Sequence, residues 1–175
     1  MEMSQLHQYK LAAFQRAIDR TPGKVLNDGI DCANILIDSM IGWCKEGDEI
    51  FIYSGKLPQN SYFGALQSTP AIKITVILDD DKCIQWLATL PASALSKITL
   101  YRIRQPRPSH FFFTSSGAFR LERDGKNFQA EGDFNNPAAL IELNNAFKKL
   151  LEDSVLIDTP SVVPAQGCES SAIGI

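Results

Sequence analysis

His110 opens the segment "HFFFT", and Arg102, Arg104 and Arg107 stand just before it. An imidazole near several guanidiniums suits phosphate chemistry in two ways. The imidazole can attack phosphorus as a nucleophile. It can also join the guanidinium forks in an anion site and remain unreactive. A third role is structural: a histidine at the start of a strand, with arginines that pair with nearby acids. His7, the other histidine of the chain, is expected to face solvent from an N-terminal helix.

A second chemical segment is "VILDDDKC". Asp79, Asp80 and Asp81 follow an apolar run, and carboxylates at the end of a buried strand can hold Mg²⁺ for phosphoryl transfer, with Asp79 and Asp81 as ligands. The same aspartates can instead cap a helix starting near residue 82 and complement its dipole. "IYSGKLP" has one glycine and lacks the spacing of a phosphate-binding loop. Cys32, Cys44, Cys83 and Cys168 form no CxxC pair, so a zinc site is not expected. Free thiols point to a reducing, cytoplasmic setting. No motif calls for a cofactor.

These groups must be positioned by an α/β framework. Residues 4–20 carry apolar side chains at helical spacing, among them Leu6, Tyr9, Ala13 and Ala17, and Pro22-Gly23 ends that helix. A second helix over 30–45, capped by Asn27 or Asp28, is apolar nearly all round and should be buried. "EIFIYSG", "IKITVILDD" and "ITLYRIR" read as strands, with helices near 61–67 and 82–95 between them. That alternation predicts a parallel sheet covered by helices. The pattern then changes. Only "QPRPS" separates Arg104 from His110, too little for a parallel crossover. Strand 110–114 should therefore run antiparallel to strand 98–104 if they are neighbours. Arg102, Arg104, Arg107 and His110 would then cluster at the carboxyl edge of the parallel strands, where α/β folds place ligands. Turn signals at Ser116-Gly117 and Asp124-Gly125 give a meander of strands 110–114, 118–123 and 126–132. A last helix starts at Pro137, capped by Asn135 or Asn136, and buries Leu140, Leu143, Phe147, Leu150 and Leu151.

The order of elements, with "HFFF", "AFRLERD" and "AEGDFNNP" in its second half, resembles one half of a phospholipase D-like fold over residues 30–153. The resemblance implies a three-layer α/β sandwich with a mixed parallel and antiparallel sheet. His110 matches the family's histidine. The lysine position holds Phe112 and the aspartate position Gly117. In "EGDFNN", Gly132 stands for glycine, Asp133 for serine and Asn135 for asparagine. Active members attack phosphorus with the histidine, stabilise the phosphoryl oxygens with the lysine and pair two such halves. Phe112 cannot supply that charge. Arg120, on the next strand beside Ala118 and Glu122, could supply it or be neutralised by Glu122. The resemblance therefore implies a degenerate module of the bacterial kind. Such a module would bind phosphate groups of nucleic acid or lipid through Arg102, Arg104, Arg107, His110, Arg120 and Asn135. It would work as a homodimer or within a larger complex. The alternatives are an active metal-independent phosphodiesterase using His110 and a purely structural subunit.

The 175 residues suit one domain, 1–155, with 156–175 as a flexible or partner-docked tail. The net charge of −3 argues against a general nucleic-acid coat but leaves room for a local basic patch. No signal peptide and no transmembrane segment are expected.

Overall fold

A computed structural model describes residues 4–55, 72–79, 92–124 and 129–157. Among them, helix α1 (Gln5–Asp19) is followed by β1 (Val25–Asn27), α2 (Gly29–Gly42), β2 (Glu49–Ser54) and β3 (Lys73–Leu78). Then come α3 (Ala92–Leu95), β4 (Ile98–Ile103), β5 (Phe111–Thr114), β6 (Phe119–Asp124), β7 (Gln129–Asp133), α4 (Pro137–Glu152) and β8 (Ser154–Ile157). The expected helix at 61–67, most of that at 82–95, and Asp80 and Asp81 lie outside the described residues.

One eight-stranded sheet runs in the order β1-β7-β6-β5-β2-β3-β4-β8. β2, β3 and β4 are parallel, and every other pairing is antiparallel. Helices cover both faces. Ile50, Ile52, Ile74, Val76, Leu100 and Phe112 pack with Leu36, Ile37, Met40 and Ile41 of α2 and with Ala13 and Ala17 of α1. Tyr53, Ile77, Ile103, Phe111 and Phe113 point the other way and meet Leu143, Phe147 and Leu150 of α4. The period-two alternation of each strand thus feeds two cores. α4 begins at its cap, where Asn136 accepts from the Ala139 amide at 3.0 Å. Asp28 is the N-cap residue of α2 and makes no side-chain cap hydrogen bond, while the Asn27 side chain accepts from Arg120 Nε.

Two expectations are corrected. β5 does not pair with β4. It lies beside β2, with β2 and β3 between it and β4. All four residues of β5 are buried, so "FFFT" needs cover on both faces and takes a central place. The short connection still reaches. Three strand spacings are about 14 Å, and residues 104–110 extended span roughly 20 Å. The connection crosses the carboxyl ends of β3 and β2. Tyr53 pins it there: its hydroxyl accepts from the Arg107 amide at 2.6 Å and donates to the Arg107 carbonyl at 3.2 Å. The second correction concerns Leu156 and Ile157, expected at the start of the tail 156–175 but part of a strand with Ser154 and Val155. These residues form edge strand β8 and pair antiparallel with Leu100–Ile103 of β4.

Candidate functional site

β5 runs antiparallel to β2, so His110, one residue before β5, sits at the carboxyl ends of β2 and β3. Asp79 directly follows β3 at that edge. Glu122 arrives from β6. The β5–β6 register pairs Phe112 with Arg120, and the Glu122 amide donates to the His110 carbonyl at 2.9 Å. Three separate elements therefore converge on one imidazole. His110 Nδ1 lies 2.9 Å from Glu122 Oε2, and His110 Nε2 lies 2.9 Å from Asp79 Oδ2. The imidazole side chain is 24% exposed and both carboxylates 11%.

A neutral imidazole carries one N–H and one bare nitrogen, so it can donate to only one of these carboxylates. Two N–H donors satisfy both. The hydrogen bond to Glu122 raises the His110 pKa above its ordinary value, burial opposes it, and the bond and charge of Asp79 add to the rise. Burial pushes Glu122 upward, but the hydrogen bond from His110 and the charge of Arg120 outweigh it and hold the carboxyl below its usual range. Both partners thus favour the charged pair. Gly55, at the end of β2, makes room for the bridge. A Cβ there would lie 2.5 Å from Asp79 Oδ1 and 3.0 Å from His110 Cε1.

Arg120 is 7% exposed and turned into the protein. Its Nε donates to Asn27 Oδ1 at 3.1 Å, and its other guanidinium arm lies 3.6 Å from Glu122 Oε1. The Tyr9 phenol of α1 feels the Arg120 charge, although burial dominates and pushes the phenol up to about 12. The positive charges of His110 and Arg120 are therefore matched by those of Asp79 and Glu122.

Arg104 and Arg107 both make contacts with Asp153. Arg102 is exposed on β4, in register with Leu78 and Val155. Arg104 is exposed beyond β4, and its amide donates to the Asp153 carbonyl at 3.1 Å. Arg107 pairs with the Asp153 carboxylate at 3.1 Å, beside the end of α4. Asn135 lies at the opposite end of the sheet. Its amide donates to Asp133 Oδ1, and the next residue donates to the Gly117 carbonyl beyond the far end of β5. Asp79 serves the histidine. Among the described residues no group of three His, Cys, Asp or Glu side chains could hold a metal ion.

Asp79 and Glu122 were not read from the sequence as partners of His110. The Glu122 contact had a signal: a hairpin turning at Ser116-Gly117 sets residue 110 against residue 122. The Asp79 contact had none, because it depends on β5 lying beside β2.

The chain matches no protein-family model and no curated protein. Its fold is similar to solved structures. TrmBL2, an archaeal chromatin protein with a novel mode of DNA binding, superposes with a TM-score of 0.60 at 10% identity over 77% of this chain and 53% of that one. Nuc, a phospholipase D family member from Salmonella typhimurium, gives 0.57 at 13% identity over 78% of this chain and 99% of that one. Polyphosphate kinase from Porphyromonas gingivalis gives 0.53 at 11% identity over 88% of this chain and 27% of that one. The chain thus spans about half of the chromatin protein and about a quarter of the kinase. It has a phospholipase D-like α/β fold with one mixed sheet. No helix among the described residues is long and apolar enough to cross a membrane.

Proposed function

We propose that this chain is a catalytically degenerate phospholipase D-like module of the bacterial kind that binds phosphate groups of nucleic acid and does not cleave them. It works in the cytoplasm as a homodimer or within a larger complex. One observation carries the non-catalytic half of this reading: both ring nitrogens of His110 are held by carboxylates. A phosphate approaching Nε2 must displace Asp79 and then face two carboxylates. At 4 Å and an effective dielectric of 20, each such like-charge contact by itself costs about 4 kcal/mol, and the charges of His110 and Arg120 that would offset it are already paired. Phe112 supplies no compensating charge, and Arg120 is already committed to Asn27 and Glu122.

The binding half rests on the exposed cations. Arg104 and Arg107 lie on the connection that crosses the carboxyl edge, and both are exposed. The DNA-binding chromatin protein of similar fold favours nucleic acid over lipid as the carrier of the phosphates. His110, Arg120 and Asn135 drop out of the anion site: the first two are neutralised, and the third lies at the wrong end.

A second reading keeps His110 as a nucleophile. Glu122 on Nδ1 would aim Nε2 outward if Asp79 swung away. Fluorescence anisotropy of a labelled oligonucleotide in EDTA, over a salt series, separates the two. The proposal expects binding that weakens with salt, each neutralised phosphate on duplex DNA contributing a slope of about −0.9 in log K against log salt, with the strand intact afterwards. Shortened strands, or no binding at low salt, would overturn it.

A further inference from the structure

A groove of about 270 Å³ opens on the α4 side of the sheet, between residues 107–111 and the last turns of α4. Phe111 and Tyr53 form its floor, and Ala146 and Leu150 form one wall. Arg107 and Lys149 line it too, with the Asp153 carboxylate beside Arg107. We propose that this groove binds a phosphate monoester carried on a single nucleoside, whether at the end of a strand or on a free mononucleotide. The inference rests on the phosphate-binding reading above and gives that reading a place and a chemical class.

Size limits the occupant to one unit at most. Sites for drug-sized ligands run from roughly 300 to 1,000 Å³, and this groove, at about 270 Å³, falls just below that range and has no room for a stretch of polymer. The lining divides the same way: an apolar interior for a ring, and two cations against one carboxylate, Asp153, for a charged group.

Charge favours a monoester over a diester or a carboxylate. Lys149 has no ion pair among the described residues. Arg107 is paired with Asp153, but the two side chains are 51% and 55% exposed, and an ion pair so open to water contributes little. A monoester carries about −1.5 to −2 at neutral pH and can draw Arg107 from a single carboxylate. An internal diester carries one charge and has less to offer.

The negative pole of α4 opposes an anion here, yet two of its last carbonyls are occupied. Leu150 O accepts from Ser154 Oγ at 2.7 Å, and Leu151 O accepts from the Asp153 amide. Arg107 is also placed in advance. Both backbone polar groups of Arg107 are tied to the buried Tyr53 hydroxyl, which fixes the base of that side chain.

The test compares one oligonucleotide labelled at its 3′ end in two forms, 5′-phosphorylated and 5′-hydroxyl, with adenosine monophosphate and inorganic phosphate as competitors. The phosphorylated strand should bind at least tenfold tighter. Adenosine monophosphate should compete better than inorganic phosphate, because the ring adds contacts. If only the strand-end form binds and the free nucleotide does not compete, a strand end is the source. If the nucleotide competes fully, the groove serves either. Arg107→Ala and Lys149→Ala, both exposed, should each cut the preference for the phosphorylated strand several-fold. Ala146→Met, which fills the groove and keeps the charge, should do the same. Equal, salt-sensitive affinity for both strands would refute the groove and leave general phosphate binding standing. No binding of any of the four probes would refute both.

Discussion

His110 Nε2 lies 2.9 Å from Asp79 Oδ2, and the opposite nitrogen of the same ring is held by Glu122 at the same distance. With Nδ1 held, Nε2 is the one atom left with which this histidine could attack phosphorus. The carboxylate covers it. The bridge also ties the ends of β3, β5 and β6 together, so its protonation state bears on stability as well as on chemistry.

Stability should peak in mildly acidic solution. The folded pKa of His110 is raised above its ordinary 6.5, so its contribution is complete below that value and is lost as pH rises through the folded value. Glu122 is lowered below its ordinary 4.5, so its contribution is complete above that value and is lost as pH falls through the folded one. Between about 4.5 and 6.5 both are present. Thermal melts of the native chain and of His110→Asn over this range check the point. The variant should lose the alkaline decline.

Removing the imidazole should cost more than its packing. His110→Ala leaves Asp79 and Glu122 facing a hole with one cation gone. For a half-buried bridge we expect a loss of about 2–3 kcal/mol in urea unfolding, below the range for fully buried pairs. Adding Asp79→Asn should recover part of that loss. Simple additivity of the two changes would show that the pair is not coupled.

The fold was more legible than the site. "FFFT" read as a strand because its residues are apolar, and Ser116-Gly117 read as a turn, so the β5–β6 hairpin and the face shared by Arg120 and Glu122 followed. The placing of β5 beside β4 failed because closeness in sequence was taken as closeness in space. The connection runs across two strands, and the hydrogen bonds that steer it come from Tyr53, far away in sequence. β8 escaped because four residues at an edge, with Val155 and Leu156 exposed, leave no alternating pattern. β1 is shorter still.

Phe147 is 1% exposed and meets Phe51, Phe111 and Phe113 edge-on, with centroids 5.4, 6.3 and 5.9 Å away. Phe147→Ala should cost about 3–5 kcal/mol, and Leu143→Ala about 2–5 kcal/mol. An unchanged urea midpoint for Phe147→Ala would contradict the packing of α4 on the sheet.

A chain ending at Ile157 keeps β8, whereas one ending at Asp153 loses both the β4–β8 ladder and the Ser154 bond to the Leu150 carbonyl. The shorter chain should melt several degrees lower, since about 1 kcal/mol corresponds to roughly 2–4 °C for a domain of this size. Identical melting temperatures would mean that β8 adds nothing to the fold.

The decisive measurement is the protonation of the His110 ring, followed by ¹⁵N NMR through a pH titration. At pH 6 both ring nitrogens should carry protons, and the titration midpoint should lie above 6.5, as for an imidazolium clasped by two carboxylates. A neutral ring at that pH, with Nε2 bare and Nδ1 bonded to Glu122, is the state of a histidine poised to attack, and it would contradict the non-catalytic reading.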